Sequence, residues 1–243
     1  MQLRNRRTLI GAGAAGAVAL AAIAVAIVYF VIFPSSSPEK LALGSTTPTP
    51  SASASPGSEP SAAPGTWTVA SGSQAGYRVR EQLAFLGAPS DAVGRTSSVQ
   101  GTVTISRSGS SYTVSAGSFT VDVNALTSDQ NMRDRRIKTM GLESNRYPQS
   151  TFVLTTPISL ASDASSGQTI HLSATGQLTL HGVTKTVTIP IDARLDGTQI
   201  EVVGSITFPF SDFGMTPPSI AGFVSVQNNA TMEFDLKLAR QGV

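Results

Sequence analysis

Cysteine is absent from this 243-residue sequence, and histidine occurs only twice, at His171 and His181. The lack of cysteine excludes a disulfide, a thiolate metal site and a lipid-modified cysteine. No Gly-x-Ser-x-Gly segment is present, and residues 66–240 contain no glycine-rich phosphate loop. We interpret His181 as a turn residue and His171 as a solvent-facing or cross-strand-paired residue. We therefore predict no metal, no cofactor and no catalytic site, so that the protein is not an enzyme.

Charge is also sparse, because Asp, Glu, Lys and Arg make up only 13% of the residues and the net charge is +2. The surplus lies in Arg4, Arg6 and Arg7, whereas the part from Thr66 onward has thirteen basic and thirteen acidic side chains. A nucleic-acid-binding domain requires a basic face of its own. We therefore expect no nucleic-acid partner.

One long hydrophobic run is present. Residues 9–33 carry no charge and end before Pro34, and a helix needs about 20 such residues to cross a bilayer. The arginines before the run place residues 1–8 in the cytoplasm and the rest of the chain outside it. We predict a single-pass cell-membrane protein with an extracytoplasmic domain. Cleavage of the run as a signal peptide, which would release a secreted domain, remains the alternative.

The next segment, residues 34–65, is rich in Ser, Pro, Ala and Thr. Its prolines exclude regular structure, and it has few apolar side chains to bury. We interpret it as a disordered linker that holds the folded domain away from the membrane.

Residues 66–240 alternate between apolar and polar side chains in the manner of β-strands. The clearest example is residues 170–195, which divide at a His181-Gly182 turn. Within residues 112–123 the alternation shifts by one at Gly117, where we expect a β-bulge. The pattern predicts an all-β domain of about seven to nine antiparallel strands, closed as a barrel or packed as a sandwich.

Two sets of residues bear on whether such a barrel is hollow. Small residues at apolar positions favour a hollow interior: Ala174, Gly176, Ala193, Gly204 and Ala230. Phenylalanines also occupy the apolar positions of their predicted strands: Phe119, Phe152, Phe208, Phe210 and Phe234. In a filled barrel these rings are ordinary core, whereas in a hollow one they line a ligand. The sequence leaves both interpretations open.

One short stretch breaks the alternation. Met132, Arg136 and Met140 recur at helical spacing, and a glycine follows that ends the pattern. Ser128 or Asp129 is placed to cap this helix. We expect one to three helical turns that cover the mouth of the barrel.

The predicted helix is basic, with four cationic residues: Arg133, Arg135, Arg136 and Lys138. Guanidinium groups bind phosphate oxygens in a bidentate manner, so these residues can form a cationic rim that meets a pyrophosphate. Alternatively they form the solvated face of the helix, paired with Asp129 or Asp134. Both interpretations stay open.

Four motifs follow one another along the β domain. They are Arg133-Asp134; Arg146-Tyr147-Pro148 with Phe152; Gly176-Gln177-Leu178-Thr179-Leu180-His181-Gly182-Val183-Thr184-Lys185; and Ser211-Asp212-Phe213-Gly214-Met215. In this order and spacing they resemble the YceI-like family, and the resemblance extends over residues 66–238.

The resemblance implies a lipocalin-like antiparallel barrel of about eight strands, with one short helix at its mouth and a long apolar cavity. It also implies that the ligand is a polyisoprenoid, such as a prenyl pyrophosphate or an isoprenoid quinone, bound outside the cytoplasm. One departure concerns the head group. Family members commonly have a His-Ser pair soon after the opening tryptophan, where this chain has Gly72-Ser73-Gln74.

From the pattern and the resemblance together we predict eleven lipid-binding residues: Phe119, Met132, Ile137, Met140, Phe152, Leu154, Phe208, Phe210, Phe213, Met215 and Phe234. Arg133 and Arg136 are the predicted head-group ligands. The predicted function is a membrane-anchored extracytoplasmic protein that sequesters or transports a long-chain isoprenoid lipid. The alternative is an envelope interaction or stress-response module with a filled barrel. Homodimerisation through an edge strand is left open.

Overall fold

A computed structural model of the chain describes residues 37–44, 64–83, 89–160, 167–196, 198–220 and 224–240. The predicted cytoplasmic segment and membrane span, residues 1–8 and 9–33, and most of the predicted linker lie outside these ranges. Within them, no helix is both long enough and apolar enough to cross a membrane.

The described ranges contain thirteen strands, one short α-helix and two 3-10 turns. The strands are β1 (Gly65–Val69), β2 (Gln74–Leu83), β3 (Ser90–Thr96), β4 (Val99–Ser108), β5 (Ser111–Asp122), β6 (Thr127–Ser128), β7 (Gln149–Leu154), β8 (Ile158–Leu160), β9 (Thr169–Leu180), β10 (Val183–Asp196), β11 (Gln199–Pro209), β12 (Ser219–Ile220) and β13 (Val224–Arg240). The helix α1 is Asn131–Ile137, and the 3-10 turns are Val123–Ala125 and Phe210–Phe213.

The strands close into an antiparallel barrel of eight strand positions. From β1 the sheet passes through β4, β5, β7, β9, β10 and β11 to β13. β1 also pairs with β13, with Val69 opposite Leu238, and this pairing completes the ring. β13 pairs with β1 at its C-terminal end and with β2 along the rest of its length. In turn, β1 pairs with β4 and β2 pairs with β3. β1 and β2 therefore share one position in the ring, and β3 and β4 share the next. The prediction of an all-β barrel with one short helix is confirmed.

The β9–β10 hairpin shows how the alternation produces the wall. Leu180 lies opposite Val183 across a two-residue turn, and the pairing continues to Thr169 opposite Arg194. Both turn residues, His181 and Gly182, have positive φ angles (52° and 74°), as a type I′ turn requires. The predicted turn is therefore present. Hydroxyl pairs on the outer face join the two strands, while the intervening apolar side chains point inward.

The predicted β-bulge is present, but Gly117 is not the bulged residue. The register of β4 against β5 shifts between Thr104 and Ile105, which leaves Ser115 as the extra residue. The Ser115 hydroxyl lies 2.8 Å from that of Ser106 and 3.3 Å from the Thr104 carbonyl. Local hydrogen bonds of this kind stabilise an irregular backbone. Gly117 itself remains in regular pairing, so the predicted position was wrong by two residues.

Helix α1 begins differently from the prediction. Its N-cap residue is Gln130, which makes no capping hydrogen bond through its side chain, so neither Ser128 nor Asp129 is the cap. Instead Asp134, in the first turn, reaches back and accepts hydrogen bonds from the Ser128 backbone N–H (2.9 Å) and hydroxyl (2.6 Å). A carboxylate in this place satisfies an unpaired donor and complements the helix dipole.

Part of the predicted linker touches the barrel. Residues 39–44 have no regular secondary structure and contact the barrel through hydrogen bonds at both ends. The Gly44 N–H donates to Glu201 (2.9 Å), the Gly44 carbonyl accepts from Arg194 (2.6 Å), and the Glu39 carbonyl accepts from Arg95. The sequence pattern did not indicate these contacts, because the segment has no alternation long enough to suggest a strand.

Candidate functional site

The barrel encloses two adjoining cavities. The first has a volume of about 190 Å³ and the second about 110 Å³. Both are lined by Ala75, Val121, Ser150 and Met232, so they lie end to end and meet at these four residues. We call this shared zone the waist. An eight-stranded barrel is wide enough to hold one small ligand in this way.

The first cavity is formed by the inward residues of the long strands. Alternate residues along part of β9, β10, β11 and β13 contribute aliphatic or aromatic side chains to its wall. Examples are Leu172, Ala174, Ile191, Val202 and Leu236. The polar partners between them face outward, as with the Thr175 and Thr188 hydroxyls, 2.9 Å apart. The wall thus offers hydrocarbon and almost no hydrogen-bonding groups to a ligand.

Three phenylalanine rings of this wall lie across glycines. A Cβ on Gly101 would come within 2.5 Å of the Phe119 ring, and one on Gly204 within 2.6 Å of the Phe234 ring. The same holds for Gly176 and Phe152, at 2.5 Å. Glycine in a strand permits such close approach. Because the rings fold against the wall at these places, they leave the middle of the barrel open.

The second cavity lies beneath α1. Its wall includes Ile137 at the end of α1, Met140 from the turn after it, Met215 and Pro218 from the loop after β11, and Tyr77 from β2. Methionine side chains adapt to irregular apolar ligands. Met140 is also 47% exposed, so the same side chain borders the cavity and the solvent. This end of the barrel is therefore the candidate entrance.

Nine of the eleven residues predicted to bind lipid line one of the two cavities. Four line the first: Phe119, Phe152, Leu154 and Phe234. Five line the second: Ile137, Met140, Phe208, Phe210 and Met215. The structure thus places them around two adjoining cavities, and lipid binding by them remains a prediction.

The other two residues lie elsewhere. Met132 is 56% exposed on the outer side of α1 and lines neither cavity. Helical spacing alone did not show which side of the helix faces the barrel. Phe213 is fully buried against Phe208, with ring centroids 4.8 Å apart, and also lines neither cavity. It supports the cavity wall from behind.

The two predicted head-group residues differ in their surroundings. Arg133 is mostly buried and donates to Glu81 (2.7 Å), to Asp129 and to the Ser128 hydroxyl (3.2 Å). Burial alone would lower the pKa of Arg133, but the charges of Glu81 and Asp129 outweigh it and raise the pKa. Arg133 therefore joins α1 to β2. Arg136 is half-buried, and among the described residues its guanidinium makes no ion pair or hydrogen bond, although its backbone carbonyl accepts from the Thr139 hydroxyl.

Tyr77 was missed at the sequence level, although it alternates in phase with Ala75 and Val79. Its ring lies over Gly94, where a Cβ would come within 2.4 Å. Its phenol oxygen is enclosed in the wall without a hydrogen-bond partner among the described residues. Burial raises the pKa of Tyr77 above its ordinary value, and Arg133 offsets only part of this rise.

The histidines lie apart from each other. His171 sits on the outer face, with Nδ1 2.6 Å from Asp192, as a cross-strand pair. His181 packs against Tyr147, with centroids 4.4 Å apart, and its Nδ1 lies 3.1 Å from the Phe213 carbonyl. Among the residues that the structure describes, no three His, Asp or Glu side chains are grouped to hold a metal ion.

A family model described as YceI-like domain matches residues 67–238, which is most of the chain and nearly all of the barrel. The chain belongs to the YceI-like family. No curated protein matches the sequence significantly. The fold of this YceI-like chain is similar to several solved structures, whose low sequence identity limits the comparison to the fold.

One of these structures is a polyisoprenoid binding domain from Saccharophagus degradans, with 14% identity and a TM-score of 0.54; it covers 74% of this chain and 100% of its own. BcnA from Burkholderia cenocepacia has 19% identity and a TM-score of 0.47, over 66% of this chain and 95% of its own. A YceI protein from Campylobacter jejuni has 15% identity and a TM-score of 0.44, over 58% of this chain and 81% of its own.

Proposed function

We propose that this YceI-like protein is a membrane-anchored, extracytoplasmic binding protein that sequesters or transports a long-chain isoprenoid lipid inside its barrel. The observation that carries the proposal is the pair of adjoining apolar cavities. Each methylene group that leaves water for such a space contributes about 0.8 kcal/mol. A long hydrocarbon chain is therefore held without any catalytic step.

The cavity volumes bear on the kind of ligand. Ordinary ligand pockets measure about 300–1,000 Å³, and the two spaces of about 190 and 110 Å³ are each smaller. A long, thin chain fits this interior when it passes the waist and occupies both cavities in series. Met232 is the longest flexible side chain at the waist, and its movement would open the passage. A bulky, rigid ligand fits less well.

The head group of the ligand would stay at the α1 end. Arg133 is engaged by Glu81 and Asp129, so Arg136 is the better placed of the two predicted head-group residues. A guanidinium at the entrance suits a phosphate or a quinone oxygen. The predicted anchor, residues 9–33, would keep this entrance near the bilayer from which the lipid comes.

The filled-barrel alternative, an envelope interaction or stress-response module, gains no support from the packing. Small side chains at Ala174 and Ala193 border open space. Phenylalanine rings that would fill a closed core pack closely against glycines of the wall instead.

The proposal is tested by filling the first cavity. Ala174 lies on β9 and points into the cavity, whereas the preceding residue, Ser173, is exposed on the outer face. Ala174→Phe places a ring in the path of the ligand, and we expect at least a tenfold loss of affinity for a prenyl lipid. Ser173→Phe adds the same ring outside and leaves binding unchanged.

Binding is measured on the full chain by quenching or displacement titration, and folding is checked by circular dichroism. Equal binding by wild type and both variants would show that the interior is not the binding site. Absence of prenyl-lipid binding by the wild type would reject the function itself.

A further inference from the structure

The surface around α1 has an unusual concentration of exposed apolar side chains. Three large hydrophobic residues are exposed among the described residues, namely Met132 (56%), Met140 (47%) and Val153 (46%). Met132 lies on α1 and Met140 in the turn that follows it, at the entrance, whereas Val153 lies on the barrel wall in β7. Two long, flexible apolar side chains thus face solvent at one end of the molecule.

The same surface carries positive charge that the protein does not neutralise. Arg135 is exposed, Arg136 and Lys138 are half-buried, and no ion pair involves any of them within the described part of the chain. The nearby carboxylates are engaged elsewhere, since Asp134 accepts from Ser128 and Asp129 pairs with Arg133. We call Met132, Arg135, Arg136, Lys138 and Met140 the α1 rim.

The α1 rim is continuous with the interior. Met140 is half exposed and also lines the second cavity, next to Ile137 and Leu142. An apolar path therefore leads from the outer surface of the helix to the enclosed space. A ligand entering along this path would come from an apolar phase more readily than from water.

We infer that the α1 rim docks on an anionic lipid bilayer, with Met132 and Met140 inserted at the boundary between head groups and acyl chains. Interfacial helices combine apolar side chains with lysine and arginine in this way. Each basic side chain near an anionic surface adds about 1 kcal/mol, or roughly fivefold, to binding. The inference rests on the proposed function, because docking would open the cavity entrance directly to the lipid phase.

The occupant is a bilayer rather than an acidic protein because the exposed methionines lie beside the entrance to an apolar cavity, and Met140 borders both. The rim thus offers methionines that can insert among acyl chains together with cations that can contact lipid head groups. An acidic protein partner would leave the apolar path to the cavity without a lipid source.

The test uses the absence of cysteine, which allows one dye to be attached at one chosen site. An environment-sensitive fluorophore is attached to the Met132→Cys form of the full chain, in bilayers of phosphatidylcholine with and without phosphatidylglycerol. We expect a blue shift and quenching by spin-labelled lipid in the anionic bilayer. The same dye on Val153→Cys is the matched control for an exposed apolar site, and it should stay in water in both bilayers.

Charge dependence is tested in the same assay with Arg135→Gln and Lys138→Gln combined. Loss of two cations should reduce docking about 25-fold, fivefold for each. Arg107→Gln with Arg240→Gln removes the same charge from the opposite end of the barrel and should have little effect. A Met132 label that remains in water, a shift equal to that of the Val153 label, or docking insensitive to the rim cations would each overturn the inference.

Failure of docking is distinguishable from failure of the proposed function. A protein that binds prenyl lipid in solution but whose rim never enters the bilayer refutes the docking alone. A rim that docks on a protein unable to bind prenyl lipid refutes the carrier function instead.

Discussion

At the scale of single residues, the interior is characterised by side chains that make no hydrogen bonds. Tyr77 is the clearest case, because its phenol oxygen is enclosed and makes no hydrogen bond within the described structure. A buried hydroxyl without a partner costs about 1–3 kcal/mol of desolvation. Met232 is the second, since its apolar side chain lines both cavities at the waist.

We expect Tyr77→Phe to leave the protein as stable as the wild type or to stabilise it by about 1 kcal/mol, because it removes an unsatisfied hydroxyl and keeps the ring over Gly94. Denaturant unfolding followed by circular dichroism measures this change. A clear destabilisation would show that the phenol oxygen has a hydrogen-bond partner in the folded protein, contrary to this prediction.

Met232→Phe should change the dependence of binding on ligand length. A rigid ring at the waist would confine the ligand to one cavity, so that short prenyl chains bind as before and additional isoprene units no longer increase affinity. Titration with prenyl lipids of increasing length tests this. Thr231→Phe, on the outer phase of the same strand, is the control. An unaltered length dependence in Met232→Phe would contradict passage through the waist.

At the scale of elements, glycine and phenylalanine act together across neighbouring strands. Gly101 lies opposite Phe119 in β4 and β5, and Gly204 lies opposite Phe234 in β11 and β13. The missing Cβ lets each ring lie against the sheet. Small residues in the apolar phase were therefore a useful signal of a hollow barrel, although the pairing of each glycine with a particular ring required the register.

Gly204→Ala should push the Phe234 ring toward the cavity, because the new Cβ would lie 2.6 Å from that ring and 2.9 Å from Ile191. We expect a loss of about 1–3 kcal/mol in stability, as for other overpacked sites, together with weaker prenyl-lipid binding. Gly117→Ala is the matched control, since its Cβ meets nothing closer than 3.5 Å. Equal effects of the two substitutions would contradict the role of close packing.

The segment of residues 39–44 contributes a pH-dependent contact with β10 and β11. Burial would raise the pKa of Glu201, but Lys237, the Gly44 N–H and Arg194 outweigh burial and lower it. A lowered carboxyl pKa gives stability that is present above the ordinary value, about 4.3, and that is lost as the pH falls through the folded value. Glu201→Gln should therefore destabilise the protein at neutral pH and flatten its acid unfolding.

Thermal unfolding of the full chain between neutral and acidic pH measures this effect. Asp192→Asn, which alters an exposed pair with His171, is the control and should change stability by less than about 0.5 kcal/mol. If the melting temperatures of wild type and Glu201→Gln changed with pH in the same way, Glu201 would not be the source of the pH dependence.

At the scale of the whole molecule, much of the barrel follows from the sequence because residues 170–195 alternate without interruption and turn at His181-Gly182. The predictions that were wrong concerned details that depend on contacts between different elements. The bulge lies at Ser115 rather than at Gly117, because Ser106 and the Thr104 carbonyl provide hydrogen-bond partners for the Ser115 hydroxyl. Met132 faces outward because Ile137, on another side of the short helix, meets the cavity. The partners of Arg133 include Glu81 from a distant strand, which no local pattern reveals.

The central claim, that the barrel holds an isoprenoid chain, is tested most directly by native mass spectrometry of the full chain purified from a membrane-containing host. Extraction and identification of the bound lipid accompany it. We expect a retained isoprenoid in the wild type and its loss from Ala174→Phe. A wild-type protein that is purified empty, and that stays empty when prenyl lipids are added, would contradict the account.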